Sequence, residues 1–133
     1  MKYLFFRVLG AARLGLLALL LASAPAWAAT ASVSYVDAGG NPQGPVTATI
    51  LDGTETSLSS GRYITDCTSG PLSYTQTIVV GGTNNANLIL ADNCAMSVTF
   101  TPGLNEPGIW IQTGSSLTVY AQSTGASMGS LTA

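Results

Sequence analysis

Short apolar clusters alternate with polar corners along this chain. Beyond Ala28 no apolar period is sustained long enough for a surface helix. The clearest stretch is Leu88-Ile89-Leu90, a polar corner at Asp92-Asn93, and a run in which Cys94, Met96, Val98 and Phe100 share one side. Period two and short length predict two strands joined by a tight turn. Residues 32–36 alternate Val33 and Tyr35 against Ser32 and Ser34 and predict a first strand, at an edge or as a cap. Residues 37–45 carry Gly39, Gly40, Pro42, Gly44 and Pro45, which is turn chemistry. Further strands are expected over 46–51, 62–65, the end of 72–80, 109–111, 117–120 and 128–133. Residues 52–53, 66–71, 81–85, 112–115 and 122–127 read as turns. Residues 54–61 read as a polar connection, and the Pro-rich segment 101–108 as a loop.

The strands recur. Ile78-Val79-Val80, residues 88–90 and residues 96–98 form one round; residues 109–111, 117–119 and 128–131 form a second. Ile109 thus answers Ile78, Leu117 answers Leu88, and Met128 answers Met96, at nearly equal intervals. A near-constant lap with variable turns predicts a solenoid in which three short strands per round stack in parallel on the next round. The alternative is an ordinary β-sandwich, with strands spaced about 8–12 residues apart.

The segment up to Ala28 changes the picture of charge and destination. Lys2, Arg7 and Arg13 precede an apolar run, and Ala26-Trp27-Ala28 is an A-x-A cleavage site. The run stops at Ser23 and Pro25, short of the ~20 residues a membrane span needs. Residues 1–28 are therefore expected to be a signal peptide. Residues 29–133 are expected to be exported, to the periplasm, cell surface or exterior, with no membrane span of their own. Without the leader one basic residue, Arg62, stands against six acids, a formal balance of −5. That composition excludes a phosphate-binding basic patch and with it nucleic acid as a partner. Lacking lysine and histidine after the leader, the chain has no Ser-His or Cys-His nucleophile, Schiff-base lysine or His-held metal. No cofactor, metal ligand set or catalytic residue is expected.

What remains is sparse. Cys67 and Cys94 are separated by close to one lap. Export permits a disulfide between them, and two buried thiols is the other reading. Asp66, Asp92 and Glu106 could be combined as acid and base for glycan cleavage. Each, however, sits in a turn or loop, where such side chains hold their own backbone. Tyr63, Tyr74, Trp110 and Tyr120 could offer rings to sugar faces. Trp110 is out of phase with Ile109 and Ile111, so it faces outward if they face the core.

Several phrases resemble a family of exported bacterial repeat proteins. They are Gly61-Arg62-Tyr63-Ile64-Thr65, Leu88-Ile89-Leu90-Ala91-Asp92-Asn93-Cys94 and Ser116-Leu117-Thr118-Val119-Tyr120-Ala121-Gln122. The likeness covers most of residues 29–133. It implies an all-β fold, a short right-handed parallel β-helix following the signal peptide, and a surface protein of the kind labelled carbohydrate-binding. Asn93 stands where the family has Gly, a position Asn tolerates because it also adopts positive φ. Arg62 stands where the family tends to have Trp, and the family position matching Cys94 often lacks a partner. Family members run on for many more coils, so this chain is expected to carry only the first of them. The resulting expectation is a non-enzymatic surface module for adhesion or contact with a glycan or cell-surface polysaccharide, with Trp110, Tyr63 and Tyr120 as contact residues. The alternatives are a fragment that self-associates through its open coil end and, third, part of a polysaccharide-degrading enzyme.

Overall fold

The structure, a computed structural model, describes residues 28–99 and 107–133. Of the sequence readings, the leader up to residue 27, the strand end at Phe100 and the acid Glu106 lie outside the described residues. The rest is all-β: ten strands and no helix among the described residues. No described helix is therefore long and apolar enough to cross a membrane.

The described residues open with an antiparallel hairpin of β1 (Thr30–Val36) and β2 (Pro42–Leu51). Its turn is organised by Asp37. One carboxylate oxygen accepts the N–H groups of Gly39 and Asn41 at 2.9 Å each, and the other accepts from the Gln43 amide at 2.9 Å. The register slips between Val33 and Tyr35. There Gly44 has φ +110°, and a Cβ would stand 3.0 Å from the Ser34 Cα. A bulge at a glycine in this conformation keeps the ladder running. Residues 42–45, expected to be turn, are thus strand. Pro42 and Pro45 fit because β3 pairs only with Thr49, Ile50 and Leu51, leaving the early part of β2 with one neighbour.

From β2 onward the strands of successive laps pair in parallel. β3 (Gly61–Thr65), β6 (Asn85–Leu90) and β9 (Ser116–Ala121) continue the sheet begun by β2. β4 (Leu72–Tyr74), β7 (Ala95–Val98) and β10 (Ser130–Thr132) form a second wall. β5 (Ile78–Val80) and β8 (Ile109–Ile111) form a third, which Ser57 extends by a single bridge to Val79. The chain visits first, second and third wall in turn and then starts again.

The laps lengthen along the stack. Thr49 lies beside Tyr63, Tyr63 beside Leu88, and Leu88 beside Val119, each step spanning more of the chain than the one before. Of the expected correspondences, Ile78 with Ile109 is the pair observed. The other two are corrected: Leu88 pairs with Val119, and Met96 with Leu131. Leu117 stands over Ala86, because the inward apolar series of β9 starts one pleat earlier than the Leu88-Ile89-Leu90 cluster suggests. In the second wall β10 starts later than expected, and Met128 remains in the turn before it.

The shortest lap runs through the segment read as a polar connection. Leu58 is buried in the core, and Gly53, at φ +96°, brings its backbone beside Leu72. The Glu55 carboxylate gathers the lap, accepting from the N–H groups of Asp52 and Gly53 at 3.1 and 3.2 Å and from the Tyr74 hydroxyl at 2.6 Å. Burial, followed by this bond to a carboxylate, holds the Tyr74 phenol well above its ordinary pKa.

Two apolar cores result. Inside the laps, columns such as Leu72–Met96 and Tyr63–Leu88 stack in register, with Leu51, Val80 and Leu88 fully buried. The outer face of the first wall is also apolar, and β1 crosses it. Val33, Ala48, Ile64 and Ile89 form this second core, with Tyr35 and Tyr120 packed at its margin. Val36 reaches Ala121 on β9, so β1, β2, β3, β6 and β9 close into a small barrel. The corners are stitched by neutral side chains across laps. The Gln122 amide oxygen accepts the Asp92 N–H at 3.0 Å, and the Ser116 hydroxyl donates to Asn85 at 2.7 Å. Amides and hydroxyls thus link corners of successive laps, while the carboxylates of Asp37, Glu55 and Asp66 take backbone N–H groups of the turns they stand in.

Candidate functional site

The three ring-bearing contact candidates occupy three different surfaces. Trp110 lies on the outside of the third wall, 52 % exposed, with Val79 beside it in the adjacent strand. Tyr63 points inward. It packs against the inner core, its hydroxyl accepting the Ser59 N–H at 3.0 Å and donating to the Ser59 carbonyl at 3.2 Å. It shares the phase of Leu88, so the alternation of β3 turns it away from solvent. Tyr120 sits on the outer face of the first wall, its ring centroid 4.8 Å from that of Tyr35. Tyr74 is buried against Glu55. A continuous aromatic platform is therefore ruled out by strand phase, and Trp110 is the one ring of the four that stands free on an outer wall.

Tyr120 borders a groove of about 320 Å³ between the β1–β2 turn and the turn preceding β10, which Asp37, Ala38, Val119, Ser123 and Met128 also line. Sequence reading missed this groove because its two banks come from opposite ends of the described chain.

Asp66 holds its own turn as expected, whereas Asp92, expected to hold its own backbone, instead meets a side chain of the next lap. Asp66 accepts the Thr68 N–H at 2.9 Å, and Asp92 accepts the Ser123 hydroxyl at 2.8 Å. Asp52 accepts from both the hydroxyl and the N–H of Thr54, which lowers its pKa below the usual carboxylate value. Asp37 is lowered in the same way, chiefly by the Asn41 N–H. Asp66 and Asp92 share a shallow cavity of about 270 Å³ with Cys67 and Cys94, which are joined by a disulfide with a Cα separation of 5.3 Å. The link ties the corner after β3 to the corner after β6, one lap above. Among the described residues no group of three or more His, Cys, Asp or Glu side chains could hold a metal ion. Among the described residues Trp110 is the large ring most exposed on an outer wall, with hydrogen-bonding hydroxyls and amides at the neighbouring corners.

No family model, curated protein or solved structure matches the chain.

Proposed function

We propose that this chain is an exported, non-enzymatic module, built as a short right-handed parallel β-helix, that contacts carbohydrate through the outer wall bearing Trp110. The repeated order of three walls with parallel pairing between laps supports the helix, and the strong preference of parallel crossovers for one hand supports its sense. The disulfide suits an oxidising compartment, as expected for a protein that has left the cytoplasm behind a signal peptide. The observation that carries the contact reading is Trp110. It is half exposed on an outer wall and stands two positions before Gln112, whose side-chain oxygen accepts the Gly82 N–H at 3.3 Å. Sugar rings stack their C–H faces on such a side chain while neighbouring amides and hydroxyls take their hydroxyl groups.

A glycan array probed with the chain, followed by titration calorimetry on the best neutral oligosaccharide, tests the reading. Binding is expected, and Trp110→Ala is expected to weaken it at least about tenfold, the loss of roughly 1.4 kcal/mol. Binding untouched by this substitution removes Trp110 from the site, and an array without signal removes the reading. A second reading, self-association, is favoured by one observation: the last lap leaves Ile111 45 % and Val119 43 % exposed, directly above Val80 and Leu88, which are fully buried.

A further inference from the structure

We propose that the last lap is one half of a two-fold interface between two copies of this chain, centred on Thr118. The proposal deepens the self-association reading and rests on it.

The phase of the β6–β9 ladder fixes which peptide groups are free. The Ser116 N–H donates to the Asn84 carbonyl at 2.9 Å, and the Gln122 N–H to the Leu90 carbonyl at 3.0 Å. In a parallel pair, a residue that turns its N–H and C=O toward one neighbour is followed by one that turns both away. Ser116, Thr118 and Tyr120 therefore address β6, while Leu117, Val119 and Ala121 address the opposite edge. Val36 already occupies that edge at Ala121. Residues 116–120 are left as a window with two outward-directed residues, Leu117 and Val119, placed symmetrically about Thr118.

This window is complementary to itself. Antiparallel pairing through an axis at Thr118 sets Leu117 opposite Val119 of the second copy, and Val119 opposite Leu117. Both pairs then exchange two N–H···O bonds. Leu117, Thr118, Val119 and Tyr120 carry no charge, so nothing in the window repels its own image across the axis.

The other two walls follow the same symmetry. The Ile78 N–H donates to the Gly108 carbonyl and the Gln112 N–H to the Val80 carbonyl, both at 2.9 Å, which leaves Ile109 and Ile111 directed outward on β8. The Ser130 N–H donates to the Cys94 carbonyl at 2.9 Å, which leaves Leu131 outward on β10. A two-fold axis lying across the stack maps the first wall onto itself and exchanges the other two. It therefore sets β8 against β10 of the second copy, and the two strands are equal in length. The same operation brings the exposed Ile111 and Val119 side chains onto the apolar end of the second core column, in the position their buried counterparts hold one lap below.

At the opposite end of the stack the first wall offers no such edge, although β4 is an edge strand of the second wall. β2 is flanked by β1 on one side and β3 on the other. Head-to-tail addition through the first wall is thereby blocked, which favours an association that closes at two copies.

Thr118 supplies the test. At a non-hydrogen-bonded antiparallel position the two Cα atoms lie about 4.5 Å apart, within the range a disulfide accepts. Thr118→Cys is expected to yield a reducible dimer on denaturing gels under mild oxidation. Asn87→Cys, its neighbour one lap below on the same face, is expected to yield none. Sedimentation velocity of the unaltered chain is expected to show the mass doubling as concentration rises, and Val119→Asp to hold it at one copy with its strand circular dichroism intact. A single copy at every concentration overturns the proposal, as does growth beyond two copies, or cross-linking at position 118 no greater than at 87. Should the cysteine variants fail to fold, the sedimentation of the unaltered chain decides alone. None of these failures touches the glycan reading, which the Trp110 substitution tests separately.

Discussion

Leu88 is the residue whose removal should reveal the stacking most plainly. It is fully buried, between Tyr63 one lap below and Val119 one lap above. Leu88→Ala deletes three carbons, and the walls of the resulting hole are strands held apart by their own ladders, so collapse is limited. Lost transfer energy together with the residual cavity gives a cost of about 3–4 kcal/mol. Val119→Ala alters the same column one lap higher, where the side chain is already 43 % exposed, and should cost only about 1 kcal/mol. Urea unfolding followed by far-ultraviolet circular dichroism, at dilute protein and with the disulfide intact, compares the two. With a slope of about 1 kcal/mol/M, the midpoint should fall by about 3 M for the first variant and about 1 M for the second. Equal losses, or a loss under about 1 kcal/mol for Leu88→Ala, would refute the column and the lap order built on it.

Two further outcomes are expected. Replacing Cys67 and Cys94 by serine should destabilise the chain by about 3.5 kcal/mol, the loop-closure value for a sequence separation of 27, measurable in the same titration. Acid should loosen the hairpin turn through Asp37, whose carboxylate is lowered from 3.8 by hydrogen bonds present only in the folded turn. The folded value lies below the unfolded one, so this stabilisation is complete above 3.8 and is lost as pH falls through the lower, folded value. Protection of the Gly39 and Asn41 amides against exchange, relative to the intrinsic rate at each pH, should therefore fall below pH 3.8, and Asp37→Asn should abolish that dependence.

Much of the fold was legible because its strands are short apolar words separated by turn residues, and because Asn93 takes positive φ at the corner where the pattern demanded it. The first lap was not legible. Its only inward aliphatic between β2 and β3 is Leu58, set among Ser, Thr and Gly, and its organiser Glu55 reads as one more surface acid. The second core was half visible. Leu88-Ile89-Leu90 is apolar at every position, the signature of a strand covered on both faces, but the cover is β1, at the far end of the described chain. The same distance hid Tyr35 beside Tyr120. For the ring candidates, phase within the strand decided the outcome. It set Trp110 outside between two isoleucines, and it drew Tyr63 inside with Leu88.

The widening of successive laps bears on the order in which the chain can assemble. Closing the loop from Thr49 to Tyr63 loses less chain entropy than closing that from Leu88 to Val119, by ~0.7 kcal/mol, and the tightest circuit is also the one furthest toward the amino terminus. Nucleation is thus cheapest at the described lap that leaves a ribosome earliest. Each finished circuit then offers a ready template to the next, so the polypeptide can wind up vectorially instead of waiting for its far end.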